Sequence, residues 1–160
     1  MKEQHALAEA VVKNATERGV TLGTAESLTA GLIAATIAEV SGASKVLMGG
    51  IVSYDPAIKH KLLHVPQTVI DGVGVVSEPC ARQMAVGARE ILGVDIAVSA
   101  TGLAGPTGGT AETPVGTVFI GRSSANGTQV EKFHFTGDRQ AVREQTVAQA
   151  LELILQSLRD

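Results

Sequence analysis

Apolar positions recur along this chain with two periods, and the points where one gives way to the other outline its elements. Residues 3 to 18 place Leu7, Val11 and Ala15 on one stripe with charges elsewhere and stop at Gly19, which predicts an amphipathic helix. The β-branched run Gly19-Val20-Thr21-Leu22-Gly23-Thr24 then predicts a strand over 20 to 25. Helical spacing returns with Leu32, Ile33, Ile37 and Val40, so a second helix is expected over 28 to 40, closing at Ser41-Gly42-Ala43-Ser44. Val46 to Tyr54 is apolar enough for a strand buried on both faces, with Gly49-Gly50 marking a bulge or a close backbone approach. Asp55-Pro56 opens a short helix that carries Lys59, His60, Lys61 and Leu62-Leu63 and ends at Val65-Pro66.

Between Gln67 and Val76 the pattern is mixed, compatible with a short helix up to Ile70 and a Gly72-Val73-Gly74 turn. Ser77-Glu78-Pro79 starts a longer helix with Met84, Ala88, Ile91 and Leu92 on its stripe and Gly93 as its stop. Val94 to Thr101 reads as a strand running into a Gly-rich loop, Gly102 to Thr110. Pro114 to Arg122 and Thr128 to Thr136 read as two more strands, joined through Asn126-Gly127, a preferred pair for a type I′ hairpin turn. Gly137-Asp138 opens a last helix with Val147, Leu151, Ile154 and Leu158 along one face. This order predicts an α/β domain: a five-stranded mixed sheet, mostly parallel except around the hairpin, with helices on both faces.

Composition narrows the picture. The 160 residues fit one domain over positions 1–160, and 44% hydrophobic against 2% aromatic content implies a core of Ala, Val, Ile and Leu. A formal charge of −3 without a basic cluster argues against nucleic acid as a direct ligand. No apolar run approaches the length of a membrane span, and Met1 to His5 opens an amphipathic helix instead of a signal sequence, so a soluble, cytoplasmic protein is expected. The lone Cys80 fits a reducing compartment and reads as a small core residue.

In such sheets ligands bind beyond the carboxyl ends of the strands. Three of those ends carry chemistry: Ser27 with Thr29, Tyr54 with Lys59, and Thr101 with the Gly-rich loop. Ser27 and Thr29 fall at or beside a helix start, whose unpaired N–H groups suit a phosphate, a carboxylate or a developing oxyanion; capping alone is the alternative. Gly102, Gly105, Gly108 and Gly109 could expose several amides to an anion, or form a plain connection. The loop matches neither the P-loop nor the dinucleotide fingerprint. Ser27 lacks both glycines of G-x-S-x-G, and His60 with His64 lack the Glu of H-E-x-x-H, so neither a hydrolase triad nor a metal site is indicated. Arg139 and Arg143 lie one turn apart at a helix start, where acids are normally favoured, and a nearby anion would explain them.

Six ordered segments resemble the CinA C-terminal domain family, the nicotinamide-nucleotide amidases: Thr24 to Gly31, Gly49 to Tyr54 followed by Lys59, Val75 to Pro79, Thr101 to Gly109, Pro114 to Val118, and Phe135 to Arg139. The match covers nearly the whole chain. The resemblance implies a three-layer α/β/α sandwich and hydrolysis of nicotinamide mononucleotide to nicotinic acid mononucleotide and ammonia, with no metal or cofactor. It implies Ser27 as nucleophile, with Tyr54 and Lys59 assisting it. Substrate contacts are expected from Thr29, Ala30, Gly31, Thr101, Gly102, Gly105, Gly108, Gly109, Arg139 and Arg143. The helix-start amides after Ser27 are expected to hold the oxyanion, and the Gly-rich loop or the Arg139 and Arg143 end the phosphate. Lys59 would act as base if burial lowered its pKa, and otherwise would hold Tyr54 or a substrate oxygen. A homo-oligomer is compatible with all of this. The chain departs from the family where Leu28, Pro56, Thr107 and Thr113 stand in place of a common Cys, Asn, Asp and basic residue. The rival reading is a non-catalytic nucleotide- or partner-binding module linked to competence or DNA damage.

Overall fold

The computed structural model describes residues 2–160. Its strands are β1 (Leu22–Glu26), β2 (Leu47–Val52), β3 (Ile96–Gly102), β4 (Thr117–Ser124) and β5 (Gly127–His134), hydrogen-bonded in the order β2-β1-β3-β4-β5. β1 is parallel to both β2 and β3, while β3–β4 and β4–β5 are antiparallel, so β4 alone runs against the other four. This is the mixed, mostly parallel sheet expected from the sequence.

The helices are α1 (Lys2–Arg18), α2 (Leu32–Ala38), α3 (Pro56–Leu63), α4 (Gln67–Asp71), α5 (Glu78–Leu92) and α6 (Arg139–Arg159). They form two layers because side chains alternate across each strand. Val98 and Ala100 of β3 join Val11, Ile33, Leu151 and Ile154 from α1, α2 and α6. Ala97, just before Val98, joins Leu63, Met84 and Ala88 from α3 and α5 on the other face. Side chains that accept from the first turn cap three helices: Asp55 for α3, Ser77 for α5 and Asp138 for α6.

Two expectations are corrected. β2 is not buried on both faces; its residues alternate between half-buried and exposed, because the strand lies at the sheet edge. α2 begins at Leu32, not at residue 28, because Ala30 (φ 48°) and Gly31 (φ 96°) adopt left-handed conformations that no helix accommodates. Residues 27–31 therefore form a turn of their own. The register irregularity of β2 falls just before the Gly49-Gly50 pair, at Met48, and the pair itself marks a close approach: a Cβ on Gly50 would lie 2.5 Å from Thr24 Oγ1.

Candidate active site

β1 delivers the chain to Glu26, whose fully buried side chain turns toward the start of α2. Oε1 accepts the N–H of Ile33 at 2.8 Å; Oε2 accepts that of Ala34 at 3.0 Å and the Thr24 hydroxyl at 2.9 Å. The helix-start amides expected to hold a substrate oxyanion are thus taken by the protein's own carboxylate. Charge-assisted bonds of this kind are roughly twice as strong as neutral ones. Among the described residues, the amides near Ser27 left without an acceptor include those of Leu28 and Thr29.

Ser27 is pinned by its N–H to Ala100 O of β3 at 3.0 Å. Its neighbour strand supplies the partner. Ser53 continues the β1–β2 pairing beyond the strands, its N–H donating to Glu26 O at 2.8 Å, and Asp55 then starts α3 with Pro56 in the first turn, where no N–H is needed. The helix returns Lys59 into the sheet edge, 1% exposed, with Nζ 2.9 Å from Ser27 Oγ, 2.7 Å from Ser53 O and 3.1 Å from Tyr54 O. As an ammonium Nζ donates to all three oxygens; as a neutral amine it keeps two N–H groups for the two carbonyls and has a lone pair for the Ser27 proton. Burial lowers the Lys59 pKa from its usual 10.5, with Cys80 and Asp55 offsetting part of the effect. Burial also pushes the Cys80 thiol up to about 11.

Tyr54 is half-exposed, and its hydroxyl accepts from Arg139 Nη2 at 3.0 Å rather than meeting Ser27. Arg139 Nη1 donates to Gly105 O at 2.8 Å, so the arginine ties the end of β2 to the Gly-rich loop. Together Ser27, Tyr54, Lys59, Thr101, Gly102, Gly105 and Arg139 line a cleft of about 210 Å³, with Val75, Val76 and Leu103 supplying apolar wall. Thr101 Oγ1 is bonded to Val75 O at 2.8 Å. A Cβ on Gly102 would come within 2.6 Å of Thr117 O, and one on Gly105 would overlap Val115, so these glycines permit close packing beside the cleft.

The remaining candidates lie off this cleft wall. Thr29 is fully buried with no partner for its hydroxyl, Ala30 is exposed, and Gly31 caps α2. Gly108 and Gly109 are on the exposed outer part of the loop. Arg143 donates from Nε to Leu28 O at 2.9 Å and from Nη2 to Thr29 O at 3.1 Å, beside a second groove that it shares with Arg139 and Leu32. Of the departures from the family pattern, Thr107 lines the cleft, Pro56 opens α3, and Thr113 closes the loop tip against Thr110. His60 Nδ1 lies 2.8 Å from Val65 O, and His64 forms the left-handed cap of α3. Among the described residues no three His, Cys, Asp or Glu side chains gather as a metal site. A larger groove of about 530 Å³ beside α1, lined by Glu9, Lys13 and Lys45, contains no serine–lysine contact.

Fold and cleft define a class: a three-layer α/β/α domain with a serine–lysine pair at the carboxyl ends of adjacent parallel strands. The chain belongs to the CinA family, since the family model for the CinA C-terminal domain matches residues 4–158. It is 45% identical over 142 residues to a CinA-like protein of Geotalea uraniireducens and 41% identical over 152 residues to one of Dictyoglomus turgidum. Those matches cover 89% and 95% of this chain but 34% and 37% of the relatives, so the chain spans about a third of their length. Among solved structures it superposes on the competence/damage inducible protein CihA from Agrobacterium tumefaciens with a TM-score of 0.95 at 36% identity, covering 99% of this chain and 96% of that one. A CinA superfamily protein from Klebsiella pneumoniae gives 0.94 at 32% identity, covering 98% of each chain.

Proposed function

We propose that the protein is an amidohydrolase that converts nicotinamide mononucleotide and water to nicotinic acid mononucleotide and ammonia in the cytoplasm. The observation that carries this reading is the contact between a buried Lys59 amine and the Ser27 hydroxyl in an open cleft. The family resemblance supplies the substrate; the names of the relatives speak only of competence and damage induction.

In this mechanism Ser27 Oγ attacks the carboxamide carbon while its proton passes to Lys59, and the carbonyl electron pair moves to oxygen. The oxyanion is held by the amide of Leu28, which lines the cleft; loss of one such donor typically costs about 2.7 to 4 kcal/mol. Collapse breaks the C–N bond, and the Lys59 ammonium returns a proton so that ammonia leaves. Water then attacks the Ser27 ester with Lys59 again taking its proton, and the acid departs as the proton returns to Ser27. Val75, Val76 and Leu103 offer the pyridine ring an apolar wall, and Arg139 at the rim offers the phosphate a cation. The test is product analysis after incubating the protein with nicotinamide mononucleotide. Equimolar ammonia and nicotinic acid mononucleotide are expected, and neither product at millimolar substrate would overturn the reading.

A further inference from the structure

Arg143 stands where a phosphate-binding arginine would be expected, yet two of its donors are committed to the protein. They hold the adjacent carbonyls of Leu28 and Thr29, at 2.9 and 3.1 Å, in the turn that carries Ser27. The turn's other restraints are Ser27 N–H to Ala100 O at 3.0 Å, Ala30 N–H to Ser27 O at 3.0 Å, Leu32 N–H to Thr29 O at 2.9 Å, and the Glu26 carboxylate on the helix behind it.

In a trans peptide the C=O and N–H groups point in opposite directions. A guanidinium that draws the Thr29 carbonyl toward α6 therefore turns the Ala30 N–H away from α6, and this N–H closes the turn on Ser27 O at 3.0 Å. The planar fork of an arginine suits two neighbouring carbonyls; a lysine offers one point charge. We propose that Arg143 is a positioning residue, gripping the Leu28 and Thr29 carbonyls so that the turn holds the Ser27 hydroxyl and the Leu28 N–H, which has no acceptor among the described residues, in place for attack. The proposal rests on the amidase reading for its substrate but not for its geometry. It divides the arginine pair by place, since each makes two bonds to the protein: Arg139 lines the cleft, and Arg143 braces the turn from outside it.

The test compares wild type, Arg143→Ala and Arg143→Lys, with Ser27→Ala as blank, after thermal unfolding has shown each variant folded. Turnover is measured on the mononucleotide and on its phosphate-free riboside. Independently, the rate at which a fluorophosphonate modifies Ser27 is followed by intact mass; the P–F bond is replaced by a bond to Oγ, fluoride leaves, and the serine proton passes to Lys59. Arg143→Ala is expected to lower kcat about 100-fold by the same factor on both substrates, with KM little changed, and to slow labelling comparably. Arg143→Lys is expected to recover part of both, and it serves alone if the alanine variant does not fold. A rise in KM confined to the mononucleotide with unchanged labelling would overturn the proposal in favour of phosphate binding. Unchanged kcat and labelling would overturn it outright. If wild type turns over neither substrate while labelling still depends on Arg143, the amidase reading fails and the positioning role stands.

Discussion

Lys59 Nζ lies 2.9 Å from Ser27 Oγ although 32 positions separate the two residues in the chain. Parallel pairing of β1 with β2 brings their ends together, and α3 folds the lysine back beneath Ser27. In the proposed mechanism the contact joins a nucleophile to a base whose proton affinity burial has weakened.

Activity should follow the neutral form of Lys59. Its pKa is lowered from 10.5, so kcat/KM should rise with pH through a value below 10.5 and then level off. Stability should shift the same way. Between the lowered folded-state pKa and 10.5 the unfolded chain binds the extra proton, so the native state gains stability as pH rises through that window, and the cost of burying the charge is fully present below it. A Lys59→Met protein should lose both activity and this slope. Melting curves of the two proteins across pH check it, and parallel curves would exclude the linkage.

Glu26→Gln should weaken the fold without touching the cleft wall. The carboxylate accepts three hydrogen bonds, and an amide would set its own donor against one of them. Leaving one buried donor unpaired costs about 1 to 3 kcal/mol. Urea titration measures the loss. Gly50→Ala should act on the same cluster, since its Cβ would displace Thr24 Oγ1.

Arg139→Ala should act on binding. It removes the cation that bridges Tyr54 and Gly105 at the cleft rim. One charge-assisted bond to a phosphate, about 1.5 kcal/mol, corresponds to roughly a tenfold rise in KM for the mononucleotide. The riboside should be affected much less. Steady-state kinetics on both substrates decide it, and equal losses would place the phosphate elsewhere.

The strand-end logic that singled out Ser27, Tyr54 and Lys59 was legible because each ends or follows an apolar run whose neighbours alternate with helices. The burial of Lys59 was not. Nothing local separates it from Lys61, two positions on and exposed; only the packing of α3 against the sheet does. The start of α2 was misplaced because Leu28 continues an apolar period, and Ala30 gives no sign of a left-handed conformation, which alanine rarely adopts. Glu26 went unrecognised for the same reason: the amides it satisfies, Ile33 and Ala34, are unpaired only because the helix begins at Leu32. The edge position of β2 depends on strand order, which the composition of that strand does not encode.

Ammonia release from nicotinamide mononucleotide by wild type and by a folded Ser27→Ala protein tests the serine mechanism most directly. Only the hydroxyl that forms the ester is removed, so the variant should keep its fold and lose turnover on the order of 10⁴-fold or more. Ser27→Ala turning over at a near-normal rate would contradict acyl transfer through Ser27.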